Sequence, residues 1–115
     1  MEDRFERQLK KGVLEMLVLG LVCRRPRYGY ELLAQLAAGP GGLFRLREGT
    51  LYPILYRLED EGMIVSAWQT SEGRGAPKKV YTVTEKGLDE LARQRGLWAA
   101  FKREVEHFEQ EDAEE

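Results

Sequence analysis

Two short segments rich in β-branched and aromatic residues, 63–70 and 80–83, flank a stretch that favours a turn. The intervening residues 71–79 contain two glycines, one proline and three cations. This composition predicts a β-hairpin with a slim, positively charged tip. Because the rest of the 115-residue chain follows mostly helical periodicity, the hairpin restricts the fold to a single α+β domain dominated by helices.

Helical spacing of apolar residues predicts four helices, over residues 4–23, about 28–38, about 48–61 and about 85–110. Gly39 and Pro40 stop the second helix, since neither residue favours its continuation. In the third helix, Thr50 is a suitable N-cap, which leaves Pro53 in the first turn, and Gly62 fits the position just past the end. The resulting order of helix, helix, helix, strand, hairpin, strand, helix is that of a winged helix-turn-helix.

The third helix has two unlike faces. Its apolar stripe is predicted to face the core and consists of Leu51, Ile54, Leu55 and Leu58. The opposite face carries Thr50, Pro53, Tyr56, Arg57 and Asp60, and Tyr52 lies near the border between the two faces. A helix of this width fits the major groove of DNA, where hydroxyls and an arginine can hydrogen-bond base edges or phosphates. This helix alone leaves open the alternative that the face is only solvated.

The hairpin favours the DNA-binding interpretation. Arg74, Lys78 and Lys79 accompany glycines that keep the turn narrow, so the tip can approach a minor groove or follow phosphates. A basic hairpin alone is usually only a solvent-exposed turn. One that follows a recognition-type helix after a single strand is a more specific sign of DNA binding. We therefore predict DNA contacts from both elements.

The net charge of −2 disfavours nucleic-acid binding only until its distribution is considered. Seven of the 20 acidic residues lie in residues 104–115, and none of the 18 Lys and Arg residues does, so residues 1–103 carry a net charge of +5. Local charge sets the surface field, and most of the chain is mildly basic. Residues 111–115 are predicted to be an acidic tail.

The fourth helix, which Thr84 is expected to cap, carries a heptad pattern. The predicted seam consists of Leu91, Trp98, Phe101, Val105 and Phe108. So small a domain cannot cover this seam alone, and we expect it to pack against a second copy, together with the buried half of the first helix. A two-fold homodimer would then present two recognition helices about 34–36 Å apart, one turn of the duplex.

Trp98 supports a second hypothesis, because two such side chains across a two-fold axis can line a cleft for a flat aromatic effector. The alternative is that Trp98 is simply a packed interface residue.

Several other classes of function are disfavoured. Cys23 is the only cysteine and His107 the only histidine, so neither an intramolecular disulfide nor a transition-metal site is expected, and a reducing cytoplasm fits. Cys23 is interpreted as a small core residue, with a reactive thiol as the alternative. The chain contains no catalytic triad pattern or phosphate loop, which indicates that it is not an enzyme, and no cofactor is expected. Residues 13–23 are too short to span a bilayer, and nothing resembles a signal peptide.

The chain resembles the PadR family of bacterial transcriptional regulators over nearly its full length. The matching pieces, in order, are residues 28–32, 48–59, 61–64, 73–81 and 84–87. The family pattern commonly has a second proline and an arginine before the paired wing aromatics, whereas this chain has Ala76, Pro77, Lys78, Lys79, Val80 and Tyr81.

The resemblance implies a short subfamily member with residues 1–83 as DNA-binding domain and 84–110 as dimerisation helix. It also implies repression of nearby genes, often for stress, drug efflux or phenolic-acid detoxification, with operator affinity lost when a ligand arrives. The predicted DNA-contacting residues are Tyr28, Thr50, Tyr52, Pro53, Tyr56, Arg57, Arg74, Lys78 and Lys79. The rival interpretation is a winged helix used for protein binding, without DNA.

Overall fold

The computed structural model describes residues 2–70 and 75–110. Within them, the elements follow one another as α1 (Arg4–Arg24), β1 (Arg27–Tyr28), α2 (Gly29–Ala37), α3 (Glu48–Asp60), β2 (Ile64–Gln69), β3 (Lys78–Val83) and α4 (Glu85–Glu109). The predicted architecture is confirmed: a mostly helical winged helix-turn-helix followed by a long helix. We call β2, β3 and the turn between them the wing.

The core lies between one side each of α1, α2 and α3 and is closed by the sheet and the start of α4. Its fully buried side chains are Val18, Leu19, Val22, Leu32, Leu51, Leu55, Leu58, Ile64 and Tyr81. Burial of a leucine, valine or isoleucine side chain stabilises a fold by about 1.5–3 kcal/mol. The apolar stripe predicted for α3 therefore holds this helix against α1 and α2, which fixes the direction of its other side.

The sheet has three strands in the order β1-β3-β2, with antiparallel neighbours. β1 was not predicted: Tyr28, expected to start the second helix, instead pairs with Val80, and Arg27 pairs with Tyr81. Arg27 is only 5% exposed, and its Nε donates a hydrogen bond to the Leu21 carbonyl near the end of α1, at 3.2 Å. This short strand joins the wing to the helix-turn-helix.

Both hairpin strands differ at their ends from the prediction. β3 begins two residues early, so Lys78 and Lys79 are strand residues that pair with Gln69 and Trp68, and not part of the turn. Pairing in the sheet fixes the direction of each lysine side chain.

The start of α3 also differs from the prediction. Arg47, not Thr50, occupies the N-cap position, because the Arg47 carbonyl already accepts from the Leu51 N–H at 3.1 Å. Thr50 therefore lies in the first turn and Pro53 in the second. The predicted end is confirmed: Gly62 has a φ of 78° and its N–H donates to Glu59, as in a Schellman cap.

The junction between the wing and α4 depends on Thr84 and Gly87. The Thr84 hydroxyl accepts from the Gly87 N–H at 3.1 Å and donates to the Gly62 carbonyl at 2.6 Å, which confirms Thr84 as the predicted N-cap. A side-chain carbon at Gly87 would overlap the Met63 carbonyl. The first turn of α4 can therefore lie directly on the end of α3.

The two halves of α4 have different surroundings. Leu91 is 4% exposed and belongs to the core, and the α1 backbone comes close at Gly20. From residue 95 to 110 every residue except Ala99 is exposed. Among the described helices, none is both long and apolar enough to cross a membrane.

Candidate nucleic-acid interface

The side of α3 that faces away from the core is exposed, as predicted. Thr50, Pro53, Tyr56, Arg57 and Asp60 are all exposed, whereas the stripe from Leu51 to Leu58 is buried. Since the core fixes α3 on one side only, this exposed side is free to meet a large partner. The exposed side of α3 presents a hydroxyl, a phenol, a guanidinium and a carboxylate, and it carries no large aliphatic group.

Arg57 points from α3 towards α1. Its Nε donates to the Glu15 Oε1 in an ion pair that spans the two helices. Slightly more than half of the Arg57 side chain remains exposed. The carboxylate therefore engages the Nε edge of the guanidinium, while more than half of the side chain stays open to solvent. The sequence did not predict this partner, because the two residues are 42 positions apart.

Tyr52 and Tyr56 extend from α3 in the opposite direction, towards the wing. Their ring centroids lie 6.2 Å apart, Tyr56 is exposed and Tyr52 is half-buried. The Tyr52 hydroxyl fits against Gly29, where a side-chain carbon would overlap it. Gly29 thus allows α3 to approach the first turn of α2 beside Tyr28.

The end of the wing strands at Gln69 and Lys78 is attached to the start of α2 by an aromatic cluster. The Tyr28 hydroxyl donates to the Gln69 Oε1 at 2.9 Å, and the rings of Tyr28 and Tyr30 are stacked with centroids 5.8 Å apart. The Lys78 ammonium lies 5.3 Å from the Tyr28 centroid and 5.0 Å from the Tyr30 centroid. Cation–π attraction of this kind orients the ammonium without neutralising it.

Lys79 lies on the other face of β3, because successive strand residues alternate between faces. Its ammonium is 5.8 Å from the Trp68 ring and 5.9 Å from the Tyr81 ring. Trp68 is 67% exposed, and burial raises the pKa of Tyr81 to about 12, so this phenol stays protonated. The sequence prediction did not single out Tyr30 or Trp68; for Trp68, its position opposite Lys79 in the hairpin was the available signal.

The predicted DNA-contacting residues therefore fall into two groups. Tyr28, Tyr52, Tyr56 and Lys78 form a continuous line of contacts from α3 through the start of α2 to the wing. Thr50, Pro53 and Arg57 lie instead on the side of α3 that faces α1. Lys79 belongs to neither group, because it lies on the face of β3 opposite Lys78. Arg74 lies outside the described residues.

A groove of about 710 Å³ opens between α1 and α3, and we call it the cationic groove. Its charged lining residues are Arg7, Lys10, Lys11, Arg45, Arg47 and Arg57, with the acids Glu2 and Glu15. Thr50 and Pro53 also line it, so it is continuous with the exposed side of α3. Sequence analysis missed this groove because its walls come from two separate parts of the chain.

A second groove, of about 940 Å³, lies between α1 and the middle of α4, and we call it the apolar groove. Its walls include Phe5, Leu9, Leu97, Trp98 and Phe101. The rings of Trp98 and Phe101 are stacked with centroids 6.4 Å apart.

Beyond this groove, the exposed side chains of Val105 and Phe108 continue along α4. We call Trp98, Phe101, Val105 and Phe108 the distal seam. Leu91, predicted as part of the seam, is instead buried within its own chain, because the start of α4 packs on α1.

Comparison with known proteins adds to this geometry. Residues 18–93 match the model of the transcriptional regulator PadR-like family. The chain belongs to this family. The match covers the last third of α1, the helix-turn-helix, the wing and the start of α4, and it stops before the distal seam. The resemblance found in the sequence is thereby confirmed.

Individual relatives agree with the family. The chain is 33% identical over 79 residues to the negative transcriptional regulator PadR of Bacillus subtilis, which covers 69% of this chain and 43% of that protein. A crystal structure of a PadR family regulator from Eggerthella lenta matches with a TM-score of 0.76 at 34% identity, over 88% of this chain and 85% of that one. A PadR-like regulator from Bacillus cereus gives 0.76 at 33% identity, over 90% and 97%. By its family, the protein is a transcriptional regulator.

Proposed function

We propose that this regulator binds a palindromic operator sequence-specifically as a homodimer, with α3 in the major groove and the wing along the backbone. The observation that carries the proposal is the edge formed by Tyr56, Tyr52, Tyr28 and Lys78, which joins the exposed side of α3 to the wing. A recognition helix and a basic hairpin that share one edge can contact one duplex simultaneously.

Arg57 is the strongest candidate for reading a base. Its Nε is engaged by Glu15, which leaves the two terminal nitrogens for the O6 and N7 of a guanine. Thr50 and Tyr56 supply hydroxyls for base edges or phosphates, and Pro53 offers an apolar surface. Arg57 would therefore contribute most of the sequence preference of α3.

The wing would contribute affinity more than specificity. Lys78 and Lys79 leave β3 on opposite faces and are held against aromatic rings, so both ammonium groups are oriented before binding. Arg74 is proposed as a third cation of the wing. Contacts from such groups to phosphates do not depend on base sequence.

The distal seam supports the homodimer. Its four side chains are between 40% and 63% exposed in one copy, on a helix that extends well beyond the domain, and the apolar groove beside it is open. A second copy whose α4 enters the apolar groove would cover both the groove and the distal seam. Two-fold symmetry would repeat the contact on the other copy. The two recognition helices would then meet one face of DNA about 34–36 Å apart.

We also propose that the protein acts as a repressor that responds to a ligand or to stress. The Bacillus subtilis relative is named a negative transcriptional regulator, which supports repression. The apolar groove beside Trp98 is suited to a planar aromatic effector, while a purely packed interface tryptophan remains the alternative. Titration of planar aromatics with tryptophan fluorescence, using Trp98→Ala as reference, separates the two.

The central test measures binding to the promoter region of the protein's own gene and to a scrambled duplex at two salt concentrations. Affinity should fall steeply with salt, since phosphate contacts release counterions. Arg57→Ala should reduce the preference for operator over scrambled DNA by about 1–3 kcal/mol. The matched control is Arg93→Ala, which removes the same charge from α4. If binding is absent or independent of salt, the winged helix serves protein binding instead.

A further inference from the structure

The cationic groove holds positive charge that neither the recognition residues of α3 nor the wing accounts for. We propose that Lys11, Arg45 and Arg47 form a third DNA contact of each protomer, which binds phosphodiester groups of the duplex on the α1 side of α3. This proposal rests on the proposed function, since it requires α3 to lie against DNA. It assigns a partner to a surface that the sequence pattern left unnoticed.

The position of the groove supports this contact. One wall is the N-terminal half of α1 with Lys11, and the other is the segment with Arg45 and Arg47 that leads into α3. Thr50 and Pro53, on the exposed side of α3, form part of the same lining. A duplex that accepts α3 in its major groove therefore brings a phosphate backbone along this rim, on the side of α3 opposite Tyr52 and Tyr56.

The ion pairs within the groove show which of its cations are left for the contact, and there are three. Lys10 is already paired with Glu2 at 2.5 Å and with Glu6 at 2.8 Å, and these hydrogen bonds raise its pKa. Arg57 is paired with Glu15, the other acid of the groove.

Within residues 2–70 and 75–110, no carboxylate oxygen lies within 4.0 Å of the charged nitrogens of Lys11, Arg45 or Arg47. All three residues are exposed. Their charge is therefore available to an anion at no cost of breaking an ion pair.

The chemistry of these residues fits the backbone better than the bases. Three exposed cations on two walls match a row of negative charges, whereas base readout needs a planar group fixed against one edge. The third contact should therefore strengthen binding to every sequence equally. Arg57, the constrained arginine of the same groove, keeps the role of reading bases.

The test uses the full-length double variant Arg45→Gln/Arg47→Gln on operator and scrambled DNA over a range of salt concentrations. Each lost phosphate contact should lower the slope of log K against log salt by about 0.9, which corresponds to roughly eight-fold in affinity at about 0.1 M salt. The loss should be the same for both duplexes. The matched control Arg93→Gln/Arg103→Gln changes the net charge equally on α4 and should leave the slope unchanged.

Ethylation interference locates the contact. Phosphates whose ethylation blocks the unaltered protein should lose this effect in the double variant, while those facing the wing keep it. Lys11→Gln, on the surface of an intact helix, provides an independent test should the double variant fold poorly by circular dichroism. A slope reduced by about 0.9 supports the contact.

The outcomes separate this inference from the proposed function. If the unaltered protein binds with a steep salt dependence and both groove variants keep its slope, the third contact is wrong and DNA binding stands. If the unaltered protein shows no salt-dependent binding, both proposals are wrong. If inorganic phosphate raises the melting temperature of the unaltered protein but not of the double variant, while the slopes stay equal, the groove takes a free anion and the DNA contact is overturned.

Discussion

The exposed side of α3 and the distal half of α4 are both helical surfaces that the core leaves uncovered, yet they differ completely in chemistry. On α3 the uncovered groups are hydroxyls, a guanidinium and a proline beside cationic walls. On α4 they include the large apolar side chains of the distal seam, Trp98, Phe101, Val105 and Phe108. Exposure alone therefore does not indicate a partner. The polar surface suits a hydrated polyanion, whereas the apolar one gains most from contact with another apolar surface.

The largest effect should come from placing charge on the apolar surface. Phe101→Glu/Phe108→Glu should give a monomer, because two carboxylates per chain cannot be buried unpaired across a two-fold interface. Affinity for the full operator should fall by about 10²–10⁴, since each half-site then binds alone. Analytical ultracentrifugation and binding titrations measure the two effects. Affinity for an isolated half-site should not change, and a variant that stays dimeric would contradict the assigned interface.

A smaller effect, on the free energy of unfolding, should show where α4 stops packing on its own domain and its exposed apolar surface begins. In the Phe101→Glu/Phe108→Glu background, Leu91→Ala should lower the free energy of unfolding by about 2–5 kcal/mol, as expected for a buried leucine. Trp98→Ala in the same background should lower it by less than Leu91→Ala does, because Trp98 is 40% exposed in one copy whereas Leu91 is 4% exposed. Urea unfolding followed by circular dichroism gives both values. Equal losses would mean that the distal half of α4 packs on its own domain.

The smallest effect should come from the wing. Lys78→Ala and Lys79→Ala should each reduce the salt slope by about one and weaken binding to all sequences alike. Their opposite faces make them independent, so the losses should add in the double variant. Fluorescence anisotropy with operator and scrambled DNA measures both, and Lys102→Ala provides a control with the same charge change. A change in sequence preference at constant slope would mean that the lysines read bases.

Much of the fold could be predicted because its signals are local. The apolar stripe from Leu51 to Leu58 repeats with the period of a helix. Gly62 lies just past the end of α3 and Thr84 is the N-cap of α4, and both positions favour only a few residue types. These features depend on residues a few positions apart. They are sufficient to predict α3, its end and the start of α4 without any tertiary contact.

What could not be predicted depends on contacts between distant parts of the chain. β1 has two residues, too few for a period, and exists because Tyr28 meets Val80. Thr50 has the better capping side chain, yet Arg47 is the N-cap and the helix begins at Glu48.

Leu91 has the spacing of the distal seam but is covered by α1. The Arg57–Glu15 pair and both grooves likewise join residues from separate elements.

One helix forms a wall of both grooves. Lys10 and Glu15 line the cationic groove and also the apolar groove, because α1 runs between the two. Both flanks belong to one continuous helix of 21 residues, Arg4–Arg24. Anything that pushes α1 aside on the aromatic flank also displaces the carboxylate that steadies Arg57 on the other. A ligand that displaced α1 in the apolar groove would in this way also reach Arg57 in the cationic groove.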